Sequence, residues 1–389
     1  MRKHVAPVNP ARGIFGALVR SLEGSARPPE PAKTIRVGSA ARARLWSDMV
    51  NAKTPDGDRR LRMDDVAELA GVSQMTVSRA LRTPEKVAPE TRARIEAAMA
   101  QLDYVPDLVA GSLAARRSGL IAAVVSTFEN AIFAPTIAGL TEAAEAAGFT
   151  ILLGSSGYSE TDEERLLRAI LGRRPDGVML TDAFHTPRAR RLLAAAGVPI
   201  VETWDLPAEP VDMVVGFSNV DAGRAMALAL HGFGYRRIAF VAPSSERDRR
   251  GLKRLEGYRR AMDELGAPRR EIRLHGPVAT LEEGAAALAS LLDRHPGADA
   301  VACSVDTLAA GALLEARRRG VDVPGRLGIA GFGDFALAQP AGLDMTTMRI
   351  AGRNIGAEAG AMLVKRIAGE TPDPAVFDIG YEVVRRSSA

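Results

Sequence analysis

Two regimes of apolar spacing divide the chain. Between Met63 and Leu102 the apolar positions recur three and four residues apart, the helical period. "MDDVAELAG" predicts a short helix with Val66, Leu69 and Ala70 as its buried stripe, Asp64 as its cap and Gly71 as its stop. Ser73 is placed to cap a second helix, "QMTVSRAL", with Val77, Ala80 and Leu81 turned inward. Pro89 suits the first turn of a third helix, with Ile95, Met99 and Leu102 along one face. From Leu120 the pattern changes to apolar runs of strand length separated by alanine-rich amphipathic helices. "LIAAVVS", "FTILLGS", "GVMLT" and "VPIVETW" form one series; "RIAFVA", "EIRLH", "DAVACS" and "LGIAGF" form another. Continuously apolar strands alternating with helices predict parallel sheets covered on both faces. The expected architecture is therefore an all-α helix-turn-helix headpiece followed by an α/β domain of two doubly wound parallel-sheet lobes, with ligands bound in the cleft between them.

Charge changes the picture at one end only. The 389 residues carry 51 Lys/Arg and 47 Asp/Glu, but residues 1–60 hold 12 of the former and 5 of the latter. That segment is basic, Pro- and Gly-rich and aperiodic, and reads as a disordered arm over residues 1–59 with a nonspecific attraction for phosphates. A translation start at Met49 would remove most of it. Its apolar run "GIFGALV" ends at Arg20 with no clean cleavage site, so no export signal is expected. The single cysteine, Cys303, excludes a disulfide framework and fits a reducing cytoplasm.

The second helix presents Gln74, Met75, Thr76, Ser78 and Arg79 to the outside. These are tools for reading a major groove: arginine suits a bidentate guanine contact, and Ser73, Thr76 and Ser78 hydroxyls suit phosphates. "DVAELAGVSQMTVSRAL", "VAPETRARIEAAMAQLDYVPDLVAGSL", "HGFGYRRIAFVA", "RLEGYRRAMDELG" and "LDMTTM" follow one another in an order that resembles the LacI/GalR family of bacterial transcription regulators. The resemblance implies a DNA-binding headpiece at 60–106, a hinge helix at 107–119, and a periplasmic-binding-protein-like effector and dimerisation domain at 120–389. It implies lobes of about 120–218 with 350–377, and 219–349 with 378–389, crossed near Ser218, Arg349 and Phe377. By position Gln74 and Met75 take the family's specificity positions, Arg79 its base-contacting arginine, and Leu113 the hinge leucine wedged into the minor groove. Asp107 stands where the family often has asparagine.

The same resemblance makes Arg254 an effector-binding arginine. Phe128, Asn130 and Phe133 follow the first strand and are expected to line the cleft; Asp182, Trp204, Asp306 and Asp334 lie at or beyond later strand ends, and His185 could contact an acid. Gly333 stands where many relatives carry an aspartate that grips sugar hydroxyls, and Val305 where sugar binders often have a polar residue. "FHTPR" and "VVGFSN" look most like the gluconate-operon repressors of the family. The expected function is a cytoplasmic, homodimeric repressor of a near-palindromic double-stranded operator, controlled by a sugar acid such as gluconate or its 6-phosphate. The alternative is the same regulator answering to a neutral sugar or other metabolite. A solute-binding protein would share the cleft but has no use for the headpiece. No phosphate loop, nucleophile elbow or metal-spaced histidines appear in the sequence, so neither an enzyme nor a bound cofactor, metal or membrane partner is expected.

Overall fold

The computed structural model describes residues 61–106, 117–128, 131–243, 248–274 and 279–389. The basic arm, residues 107–116 of the expected hinge helix with Asp107 and Leu113, and Asn130 lie outside the described residues; Arg117, Ser118 and Gly119 are described and are not helical. The chain divides into two compact units close to Tyr104.

The first unit is built on three helices, α1 (Met63–Ala70), α2 (Gln74–Arg82) and α3 (Pro89–Gln101). Gly71 ends α1 in the left-handed conformation, with φ of 64°. The Ser73 hydroxyl accepts from the Thr76 amide at 3.2 Å and so caps α2. Asp64 is not the cap of α1: the helix starts one residue earlier, and Asp65 Oδ2 accepts from the Arg62 amide at 2.6 Å. Val66, Ala67, Val77, Ala80 and Ile95 form the core, with Met99 and Leu102 packed against it. Leu69 and Leu81, expected inside, are 44% and 39% exposed. Three short helices share a core only one stripe wide, which Val66, Ala67 and Ala70 fill from α1, and Val77 and Ala80 from α2.

The second unit holds two six-stranded sheets. The first contains β1 (Leu120–Val125), β2 (Thr150–Ser155), β3 (Gly177–Leu180), β4 (Ile200–Thr203), β5 (Met213–Gly216) and β11 (Val376–Asp378), in the order β11-β5-β4-β3-β1-β2 and parallel throughout. The second contains β6 (Ile238–Ala242), β7 (Glu271–Arg273), β8 (Ala300–Cys303), β9 (Gly328–Gly333), β10 (Thr346–Arg349) and β12 (Glu382–Val384), in the order β12-β10-β9-β8-β6-β7. Only β12, against β10, runs antiparallel among the described pairs. The chain passes between the sheets after β5, after β10 and after β11.

Helices α4 (Ala134–Ala146), α5 (Glu160–Leu171), α6 (Pro187–Ala195) and α11 (Gly352–Ile367) serve the first lobe; α7 (Asn219–Gly232), α8 (Arg249–Glu264), α9 (Leu281–Arg294) and α10 (Asp306–Arg318) serve the second. Several start on side-chain caps that end a loop at a fixed point: Ser159 for α5, Thr186 for α6, Ser218 for α7, Asp248 for α8 and Thr280 for α9. The Asp248 cap sets the start of α8, and with it the arginines that follow.

Candidate DNA-reading helix and effector cleft

In the first unit, α2 keeps Val77 and Ala80 in the core, which turns its other face out. Gln74, Met75 and Arg79 are exposed, Met75 by 68%. Ser73 Oγ lies 2.9 Å from Thr76 Oγ1, so these two hydroxyls brace the start of the helix. Ser78 is half-buried.

In the second unit, α8 lays four cations along the cleft. The outer two are neutralised by the first lobe: Arg249 Nη2 is 2.5 Å from Glu160 Oε1, and Lys253 Nζ is 2.5 Å from Asp205 Oδ2. The inner two are Arg250 and Arg254, each only 5% exposed. Their spacing of four residues puts both on one helix face. Arg250 Nη2 donates to Ser126 Oγ at 2.8 Å and its guanidinium lies 5.1 Å from the Phe133 ring centre. Arg254 Nη1 donates to Asn219 Oδ1 at 2.7 Å, and its guanidinium lies 4.3 Å from the Phe332 ring centre.

Neither inner arginine makes an ion pair among the described residues, and Arg250 Nη1 and Arg254 Nε are buried without a hydrogen-bond partner. Burial pulls the Arg254 guanidinium below the usual arginine range. For Arg250 burial acts the same way but is outweighed by Asp182, Tyr158 and Asp248, which raise it. Buried charge without a contacting counter-charge is costly, so the arrangement favours an anion. The space beside these arginines is about 40 Å³ and is bordered by Phe133, Tyr158 and Trp204 from one lobe and Ser304 and Val305 from the other. Trp204 is anchored by its indole N–H to Thr136 Oγ1 at 3.0 Å and meets Phe133 edge-on at 5.5 Å.

The geometry thus gathers Phe133, Trp204 and Arg254 at one place. Asp182 borders an adjoining chamber. Three expectations need correction, for Phe128, His185 and Asp306, and the surroundings of Asp334 qualify a fourth. Phe128 is 62% exposed and borders none of these cavities. His185 is neither exposed nor in the cleft: its side chain is fully buried, with Nδ1 2.6 Å from Glu163 Oε1 and Nε2 3.4 Å from Glu202 Oε1. Burial opposes its charge, but the two glutamates outweigh that and push its pKa up to about 9. Asp306 is fully buried with both oxygens engaged, by Thr347 Oγ1 at 2.6 Å and the Phe335 amide at 2.7 Å. Asp334 is held by Arg349 and Arg386, both at 2.7 Å. Asp306 braces the second sheet rather than facing a ligand, whereas Asp334, though held by these two arginines, borders a further cavity that Trp204 also lines. Sequence reasoning missed Arg250, Tyr158 and Asn219, although "RRGLKRLEG" places Arg250 one turn before Arg254.

Comparison with known proteins bears on both units. Residues 62–107 match the family model described as bacterial regulatory proteins, lacI family, and residues 227–389 match that of the periplasmic binding protein-like domain. The chain is 35% identical to the HTH-type transcriptional regulator GntR of Pseudomonas aeruginosa, over 87% of this chain and 98% of that protein. It is 33% identical to the regulator of the same name from Escherichia coli K12, over 82% and 96%. A crystal structure of a LacI-family transcriptional regulator from Silicibacter pomeroyi superposes with a TM-score of 0.78 at 35% identity, covering 84% of this chain and 99% of that one. With both the headpiece and the two-lobed domain matched over nearly the whole length of these relatives, the chain belongs to the LacI family of DNA-binding bacterial transcriptional regulators.

Proposed function

We propose that this regulator is a cytoplasmic repressor that binds a near-palindromic operator as a homodimer and responds to a sugar acid, gluconate or its 6-phosphate, held in the cleft. The observation that carries the acid is the pair of buried arginines, Arg250 and Arg254, each with an unpartnered N–H beside the cavity. A neutral sugar would leave both charges without a contacting counter-charge; a carboxylate offers each a charge-assisted hydrogen bond. The likeness of "FHTPR" and "VVGFSN" to gluconate-operon repressors supports the same ligand class.

On the DNA side, Gln74, Met75 and Arg79 are proposed to read base edges, with Ser73, Thr76 and Ser78 toward phosphates. Two headpieces in successive major grooves account for the expected symmetry of the operator. Leu113, outside the described residues, is proposed as the minor-groove wedge. Effector binding would act through its difference in affinity for the DNA-competent and incompetent states. Calorimetry tests the ligand class: binding of an aldonate supports it, and binding of a neutral sugar or purine with none of any aldonate rejects it.

A further inference from the structure

The inner space, where among the described residues Arg250 and Arg254 outnumber the one bordering carboxylate, Asp248, differs from its neighbour in size and in charge. The inner space holds about 40 Å³, where a single water needs about 10–15 Å³ on the same measure. It suits a group of a few heavy atoms, such as a carboxylate, and leaves a longer chain to run on into the larger space. Tyr158 borders this space and also a second, open chamber of about 340 Å³. That chamber is hydroxyl-rich, with Ser156, Ser159 and Thr161 in its wall, and acidic, with Glu160, Glu163 and Asp182. Among the described residues its one bordering cation, Arg249, is already paired with Glu160. Behind Glu163 stands a second buried carboxylate, Glu202, with His185 between them. Asp182 accepts from the Ala183 and Phe184 amides, both through Oδ1.

We propose that the acid group of the effector seats on Arg250 and Arg254 in the inner space while its polyol tail runs past Tyr158 into the acidic chamber, so that the site selects a monoanion with an uncharged tail and disfavours acids phosphorylated at the far end. This rests on the sugar-acid reading above and narrows it. The chamber carboxylates accept hydrogen bonds from hydroxyls, and they repel a phosphate dianion. Arg250 becomes a specificity-determining residue: its free Nη1 selects the carboxylate over the hydroxymethyl end of a neutral polyol.

Calorimetry on the full chain with gluconate, 6-phosphogluconate and sorbitol tests this. Gluconate is expected to bind at least tenfold more tightly than 6-phosphogluconate and a hundredfold more tightly than sorbitol. Arg250→Gln should lower gluconate affinity at least tenfold and leave sorbitol unchanged. Asp182→Asn should narrow the preference for gluconate over 6-phosphogluconate severalfold. Equal or tighter binding of 6-phosphogluconate by the unaltered chain overturns the inference while leaving the sugar-acid reading standing. Binding of neither acid overturns both.

Discussion

Arg254 Nη1 lies 2.7 Å from Asn219 Oδ1, and the amide of Asn219 donates in turn to the backbone oxygen of Trp204 at 2.8 Å. Asn219 opens α7, directly after the chain leaves the first lobe. The cleft arginine of one lobe is thus tied, through a fully buried side chain, to the backbone of the other lobe's cavity-lining tryptophan. Asn219→Ala would leave Arg254 with a further unmet donor. A loss of about 1–3 kcal/mol in stability is expected, with a fall in effector affinity. Urea unfolding and calorimetry on the same variant measure both.

The outer pair Lys253–Asp205 is a second tie between the lobes, and its carboxylate is only 2% exposed. Removing the lysine strands a buried charge, so Lys253→Met should destabilise by more than the removal of both partners. A double-mutant cycle with Asp205→Asn is expected to return a coupling of about 1–3 kcal/mol. Coupling within error of zero would assign the contact no role in holding the lobes.

His185 sets a pH dependence. Its folded pKa of about 9 lies above the ordinary value of 6.5. The stabilising contribution is therefore fully present below about pH 6.5 and is lost as pH rises toward 9. It amounts to at most about 3 kcal/mol. Thermal unfolding followed from pH 6 to 9 should show this decline, and His185→Gln should flatten it while lowering stability at pH 6.

Helices α7 and α8 approach so closely that a methyl group on Gly257 would sit 1.9 Å from the Val220 carbonyl oxygen. Backbone cannot yield as a side-chain tip can. Gly257→Ala is expected to cost about 3 kcal/mol or more, and to shift Arg254 three residues earlier on the same helix. Chemical denaturation gives the first number. Effector titration under conditions where the variant stays folded gives the second.

The doubly wound architecture was legible because eight runs of strand length, from "LIAAVVS" to "LGIAGF", alternate with helical stretches. The strands that escaped are three or four residues long: β5, β10, β11 and β12. β10, "TTMR", draws its place from Thr346 and Thr347 hydrogen bonds with the C-terminal residues and Asp306, which no local pattern reveals. The cleft was legible in part. Phe133, Trp204 and Arg254 stand where strand ends and motif position put them. Asp306, Asp334 and His185 look like ligand-binding groups in one dimension, but each finds an internal partner far away in sequence, at Thr347, Arg386 and Glu163. Arg250 was hidden for the opposite reason. It looks like one more surface arginine in a basic helix, and only the packing of Ser126 and Phe133 against it shows that it is buried.

The most direct test joins the two units: fluorescence anisotropy of a labelled duplex from the region upstream of the chain's own coding sequence, titrated with and without gluconate. The unaltered protein should bind it in preference to random DNA, and gluconate should change that affinity at least tenfold. Arg79→Ala should weaken specific binding by about 1–3 kcal/mol with effector binding intact. Arg250→Gln should keep DNA binding and lose the gluconate response. Specific binding that gluconate leaves unchanged, or that survives Arg79→Ala at full strength, would contradict the account.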